Sequence, residues 1–99
     1  MDQTATSIVW VFHAEGAQFA SAVFSTRARA EEWIANHELT GILTAYPVDV
    51  SAYDYALAKG SFRPSRPHHG TPEHVGRFAN AGIDHVHYRD GREGGIDPP

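Results

Sequence analysis

Cysteine is absent from all 99 residues of the chain, lysine occurs once, and no apolar run approaches the roughly 20 residues that span a bilayer. The absence of cysteine excludes thiolate metal ligands, cysteine nucleophiles and disulfide bonds, and it fits a reducing cytoplasm. No basic segment followed by an apolar one opens the sequence, so we expect a cytoplasmic protein that is neither exported nor inserted in a membrane. With a net charge of −4 and a single lysine, we also expect no nucleic-acid partner.

The length and the hydrophobic content of 41% fit one domain with one core. We place this domain at residues 7–90 and expect flexible termini at 1–6 and 91–99. Within it, Trp33 recurs at helical spacing with Ala30 and Ile34, so we expect Trp33 to anchor a helix on a sheet.

Hydrophobic periodicity predicts an α+β domain. The first strand, at residues 7–13, is apolar on both faces, which is typical of a strand at the centre of a sheet. The later elements are a strand at 18–24 and a helix at 26–37, which Leu39-Thr40-Gly41 ends with Gly41 available for a conformation that is costly for other residues. A strand at 42–46, a helix at 51–59, and a hairpin of strands at 74–78 and 84–88 follow. We therefore predict two layers, in which a mixed or antiparallel sheet of four to five strands, ordered ββαβα with a C-terminal hairpin, carries helices mainly on one face. If the other face is open, a homodimer would cover it.

Residues 71–78 have a second interpretation. Thr71-Pro72-Glu73 is typical of a helix start with proline at the first helical position, whereas Gly76 weakens a helix and the pattern at 74–78 also fits a strand. We favour the strand. The choice matters because it decides which histidines converge.

Five of the seven histidines lie between residues 67 and 88, where a metal site is one prediction. On a strand, His85 and His87 project from the same face and can bind one ion together. His68, His69 or His74 could supply a third ligand, with Glu73 or Asp84 as a carboxylate, and such a site suits a divalent metal such as zinc. No His-Glu-x-x-His helix is present, so no spacing here is diagnostic.

Charge along the chain favours a different ligand for the same region. Residues 1–58 hold two arginines against seven acids, whereas residues 59–92 hold six cations against three acids. Arginine offers a planar fork for carboxylate or phosphate, and the basic segment suits an anion or an acidic protein surface. The candidate binding residues are Arg63, Arg66, His68, His69, Arg77 and Tyr88.

Three blocks of sequence together resemble an uncharacterised bacterial family of small, single-domain proteins. They are Trp10–Ala17, Leu39–Asp49 with Tyr53-Asp54, and Pro67–His69 with Gly76–Phe78 and His85–Tyr88. The resemblance covers about residues 8–91 and implies a bacterial cytosolic protein of this size class. It implies no activity, so function has to be argued from the residues.

Catalytic sets such as Ser65, His68 and Asp84 can be assembled only on paper, because no nucleophile elbow accompanies them. We therefore favour a non-catalytic interaction domain of the accessory or immunity type. It would bind a protein partner or a small anionic ligand through residues 63–88, a region rich in histidine and arginine. The alternative is a His-ligated metalloprotein, such as a metal-dependent hydrolase.

Overall fold

The computed structural model describes residues 7–79 and 83–94. In chain order these residues form β1 (Ile8–Ala14), β2 (Ala22–Phe24), α1 (Arg27–Asn36), β3 (Gly41–Pro47), α2 (Ala52–Lys59), α3 (Pro72–Arg77), β4 (His85–Arg89) and β5 (Arg92–Glu93). The strands make one antiparallel sheet in the order β2-β1-β3-β4-β5. The predicted small α+β fold is confirmed, and its sheet is antiparallel.

Strand β1 lies inside the sheet, and its apolar residues on both faces are typical of such a central position. It pairs with β2 on one side and along its whole length with β3 on the other. The register sets Phe12 opposite Leu43, and Leu43 opposite Val86 of β4. Since side chains alternate along a strand, these residues share one face of the sheet.

Helix α1 covers that face and completes the main core. Phe12, Ile34 and Leu43 are completely buried, together with Ala30 of the helix. Trp33 lies at the edge of this core, with its ring 5.6 Å from Phe12 in an edge-on contact. The prediction that Trp33 anchors the helix on the sheet is confirmed.

The opposite face of the sheet, here called the open face, has apolar side chains that remain partly accessible. It consists of Val9, Val11, His13, Val23, Ile42, Thr44, Tyr46, His85 and His87, which follow from the register and the alternation of the strands. Val23 is 63% exposed and Tyr46 is 40% exposed. These values are high for apolar residues in a sheet, so this face is a candidate contact surface.

Hydroxyl side chains cap each of the three helices found in residues 7–79 and 83–94. Thr26, Ser51 and Thr71 each accept a hydrogen bond from the backbone N–H three residues later, which satisfies one of the free donors at a helix start. The predicted helices at 26–37 and 51–59 are confirmed within one residue at their starts and ends.

The predicted strand at 74–78 is wrong, because residues 72–77 form helix α3. Thr71 caps this helix and Pro72 takes an early position, where its missing N–H has no cost. Gly76 is the next-to-last helical residue, so its weak propensity affects only the final turn. The C-terminal hairpin exists, but β4 and β5 form it around the turn at 90–91.

Three further expectations differ from the structure, and the expectations for the chain ends lie outside the described residues. The second strand covers only Ala22–Phe24 instead of 18–24, and the preceding residues form a loop. Gly41, expected to end α1, belongs to β3, and Glu38 instead has the positive φ of 53°. Arg92 and Glu93, assigned to the C-terminal tail, form β5. The expected flexible segments at 1–6 and 95–99 lie outside the described residues.

No helix among the described residues is long and apolar enough to cross a membrane.

Candidate functional site

Three imidazoles from the loop before α3 and from α3 itself form the candidate site. His68, His69 and His74, here called the histidine cluster, each offer a ligand atom within 4.8 Å of the others. Their ring centroids are separated by 4.5 to 5.5 Å. His68 is exposed and the other two rings are half-buried. The cluster is therefore accessible from solvent on one side and supported on the other.

A proline turn brings the first two histidines into position. The N–H of His69 donates to the carbonyl of Arg66, and the N–H of Thr71 donates to the carbonyl of His68. Pro67 occupies the second position of the first turn, where its fixed φ is favourable. The Thr71 hydroxyl donates to the same His68 carbonyl at 2.8 Å and also accepts from the N–H of His74. The turn, the helix cap and His74 therefore belong to one hydrogen-bonded unit.

Aromatic side chains support the cluster from below. Tyr53 of α2 is buried and contacts Phe62, His74 and Phe78 at centroid distances of 5.4 to 5.9 Å. Phe62 also contacts the ring of His69 at 5.1 Å. Such edge-on and tilted contacts add stability beyond the area that they bury. Together these rings attach the cluster to α2 through a small core of its own.

Hydrogen bonds from the backbone determine which ring nitrogens of the cluster carry protons. The N–H groups of Ser65 and Arg66 both donate to Nδ1 of His69, at 2.9 and 3.2 Å. The N–H of Gly70 donates to Nδ1 of His74 at 3.3 Å. A nitrogen that accepts a hydrogen bond has no proton of its own, so the neutral rings of His69 and His74 carry theirs on Nε2. Both rings are therefore donors toward any further ligand.

Positive charge surrounds these donors. Desolvation lowers the pKa of His69 below its ordinary value, and the charges of His68, His74 and Arg66 lower it further. Among the residues described, the ion pairs join Arg27 to Glu31 and to Glu93, and neither pair involves Arg66 or Arg77.

An open hollow of about 620 Å³ lies against the cluster. The side chains of His68, His74, Thr71 and Arg77 line its polar part, and Phe62 and Phe78 line its apolar part. Glu73 is the single carboxylate that the described residues place on its wall. The hollow thus combines a guanidinium, hydrogen-bond donors and aromatic surface, which is a suitable environment for a group that carries acceptor oxygens.

His85 and His87, here called the histidine pair, lie on the open face of the sheet, with ring centroids 5.2 Å apart. Nδ1 of His85 is 2.8 Å from the carbonyl of Ile83. Since a carbonyl can only accept, Nδ1 of His85 carries the proton and Nε2 has a free lone pair. His85 therefore has the opposite polarity to His69 and His74.

The residues predicted from sequence thus fall into separate places. His68 and His69 are together in the cluster, Arg66 lies beside it and Arg77 lines the hollow. Arg63 is an exposed loop residue. Among the residues described, the group of three ligand atoms does not include His85 or His87.

Tyr88 has a structural position, whereas His74 belongs to the candidate site. Tyr88 is only 4% exposed, and its phenol donates to Glu31 at 2.6 Å. His74 was predicted only as one alternative for a third ligand beside His85 and His87, and it lies instead with His68 and His69. The Thr71-Pro72 helix start turns His74 back over the preceding loop.

Comparison with known proteins identifies the family. The chain belongs to a family described as a domain of unknown function (DUF7710), which matches residues 9–94. No curated protein and no solved structure matches the chain. The resemblance noted in the sequence is confirmed for the family of small domains, and the family carries no activity over to this chain.

Proposed function

We propose that the chain is a non-catalytic binding domain, an accessory protein of the bacterial cytoplasm, and that the histidine cluster and Arg77 bind an oxyanion presented by an acidic protein partner. The observation that supports this most is the polarity of His69 and His74. Backbone N–H groups occupy Nδ1 of both rings, so Nε2–H is the group that each ring offers to a ligand. A carboxylate or a phosphate oxygen accepts such hydrogen bonds.

Charge and shape support the same ligand class. Arg77 can form two parallel hydrogen bonds with a carboxylate, and it lines the hollow together with His68 and His74. Phe62 and Phe78 add an apolar wall on which a peptide side chain would pack. Glu73 opposes the anion, so the site favours one oxyanion close to Arg77 over a surface of high negative charge.

The test is a titration of ¹⁵N-labelled protein at pH 7.5 with sodium acetate, with inorganic phosphate, and with an acidic peptide and its amide analogue in which Gln replaces each Glu. We expect the imidazole and Arg77 side-chain signals to shift with the oxyanions and with the acidic peptide. Shifts with phosphate alone would favour a free phosphate ligand over a protein partner. Saturating additions that leave every cluster signal unchanged would refute the proposal.

Arg77→Gln should weaken binding of the acidic peptide about tenfold, because a hydrogen bond to a charged group contributes about 1.5 kcal/mol or more. Arg29→Gln is the matched control, since Arg29 is an exposed arginine on α1. Equal losses in both variants would indicate a general charge effect and would contradict a site at Arg77.

A metal at the histidine cluster is the second candidate, because its three ligand atoms lie within 4.8 Å of one another. Metal-bound histidine usually donates its other ring N–H to an acceptor, whereas His69 and His74 accept there. Zinc binding at the cluster must therefore break these backbone bonds. Zinc that raises the melting temperature and removes the Nδ1 hydrogen bonds of His69 and His74 would favour the metal over the anion.

A further inference from the structure

His85 of the histidine pair offers a ring lone pair at Nε2, where His69 and His74 of the cluster carry a proton. The Nδ1–H of His85 donates to the carbonyl of Ile83 at 2.8 Å, which leaves Nε2 as a lone-pair donor facing away from the backbone bond. This is the arrangement that fixes the tautomer and ring orientation of metal-bound histidine. His87, two residues further along the same strand, places a second imidazole beside it. Both side chains are exposed on the open face.

Two imidazoles are too few to complete the coordination of a zinc-like ion. Structural zinc sites have four protein ligands and tetrahedral geometry. Asp84, the nearest acid in sequence, lines a different hollow with Trp10 and Lys59. Within the described part of the chain, the pair therefore lacks the further ligands of a closed site.

We propose that His85 and His87 bind a borderline divalent cation, Zn²⁺ first, and that a second copy of the chain supplies the same two residues from its own open face. A two-fold axis makes the donor set four imidazoles without any new residue type. Imidazole also suits Cu²⁺ and Ni²⁺. The site is distinct from the histidine cluster and does not depend on the function proposed for it.

The centre of the open face is uncharged. The neighbours of the pair on the central strands β1 and β3 are uncharged side chains, including Val11, Ile42 and Thr44. Arg89 and Arg92 are the charged residues that the described strands place on this face, and Arg89 lies two residues beyond His87 at the end of β4. A self-complementary interface needs such a neutral centre, because each charge would otherwise meet its own copy.

Distances across stacked sheets also fit the proposed site. Two sheets pack about 10 Å apart, so their midplane lies about 5 Å from each, within reach of an imidazole and a Zn–N bond of about 2 Å. Phe78 and Ala79 line a hollow with Thr44 and His85 at the end of the face where β4 begins. A two-fold axis perpendicular to the strands places Phe78 and Ala79 of the second copy at the other end of the interface, so the two segments do not meet.

Sedimentation equilibrium of untagged protein at pH 7.5, with EDTA or with added ZnCl₂, tests the proposal. We expect a monomer in EDTA, a doubled mass with zinc, and one zinc for every two chains. His85→Gln and His87→Gln should each abolish the change in mass, whereas His37→Gln, at the exposed C-cap of α1, should retain it. A dimer in EDTA, or one zinc for each chain at monomer mass, would overturn the proposal.

A second variant tests the face itself without altering the metal ligands. Tyr46→Glu places a carboxylate on the open face, and it should prevent zinc-dependent dimerisation while circular dichroism shows a folded protein. Leu57→Glu, at an exposed position on α2, is the control and should dimerise like the parent protein. Zinc-dependent dimerisation of Tyr46→Glu with unchanged affinity would show that the open face is not the interface.

Discussion

The Nδ1 atom of His69 organises the loop that carries the histidine cluster, and a pair of substitutions isolates its contribution. Asparagine places Oδ1 near the position of Nδ1, so His69→Asn retains an acceptor for the N–H groups of Ser65 and Arg66. His69→Leu has a similar size and no acceptor. Both variants lose the ring contact with Phe62. The difference between them therefore reports the acceptor alone.

The size of the effect follows from the two hydrogen bonds. They measure 2.9 and 3.2 Å and share one acceptor. A net contribution of about 0.5 to 1.5 kcal/mol for each bond gives about 1 to 3 kcal/mol for the loop. Because the two bonds share one acceptor, we expect a value near the lower end, about 1.4 kcal/mol, which is a tenfold change in the opening equilibrium of the loop. Global stability should change less, because the loop is exposed and opens without unfolding the sheet.

Amide hydrogen exchange measured by NMR is the assay. In His69→Leu, the amides of Ser65 and Arg66 should exchange about ten times faster than in His69→Asn, while amides of β1 and β3 exchange equally in both. Equal exchange of the Ser65 and Arg66 amides in the two variants would refute the role assigned to Nδ1.

Acidification should also open this loop in the unsubstituted protein, because a protonated Nδ1 of His69 can no longer accept the hydrogen bonds from Ser65 and Arg66. The pKa of His69 is lowered in the folded state, mainly by desolvation, so the unfolded loop binds protons more readily. The stability of the loop is complete above the ordinary value of 6.5 and falls as the pH drops through the lowered pKa. Exchange at Ser65 and Arg66, corrected for its intrinsic pH dependence, should accelerate as the pH falls from 6.5 through the lowered pKa of His69 in the parent protein, and much less in His69→Asn.

Two other regions give direct predictions. Gly41→Ala should lower the free energy of unfolding in urea by about 2 kcal/mol or more, because a Cβ would collide with the His13 carbonyl and the Phe12 ring, whereas Gly76→Ala meets open space in α3 and should be neutral or stabilising. Equal effects of the two glycine substitutions would contradict the close approach at Gly41. Tyr88→Phe should cost about 1 kcal/mol at pH 7 by removing the bond to Glu31. Since that bond is the main cause of the lowered pKa of Glu31, the cost should shrink as the pH falls below the ordinary 4.5, and a cost independent of pH would contradict this assignment.

Local signals predicted the elements whose pattern had one interpretation. Thr26 before an amphipathic run and Ser51 before Asp54 each define a helix start without information from the rest of the chain, and the structure has both. The pattern at 74–78 had two interpretations, because Val75 and Phe78 can be placed on either a strand or a helix. Packing decided between them: His74 and Phe78 are four residues apart, so helical geometry turns both rings toward Tyr53. Tyr53 is distant in sequence, and no local pattern reveals that contact.

Glycine and tyrosine show a second limit of sequence-based inference. Gly41 was expected to end a helix, yet its place in the structure depends on how closely β3 approaches β1. Tyr88 was expected at a binding surface because it ends the histidine-rich segment. Strand alternation instead places it on the core face with Leu43, opposite to the face of His87. Both outcomes depend on strand pairing, which involves residues far apart in the chain.

The hydrogen-bonding role of each histidine also depends on the fold, because the backbone group at Nδ1 decides whether Nε2 donates or accepts. Composition alone therefore could not separate an anion site from a metal site. In the loop, a turn directs backbone N–H groups at Nδ1 of His69 and His74, and the rings become donors. Just before β4, the carbonyl of Ile83 lies at Nδ1 of His85, and that ring becomes an acceptor at Nε2. The same side chain therefore suits an oxyanion in one place and a cation in the other. Backbone conformation determines this polarity, so a histidine-rich segment should be assigned a ligand only after the hydrogen-bond partner of each Nδ1 is known.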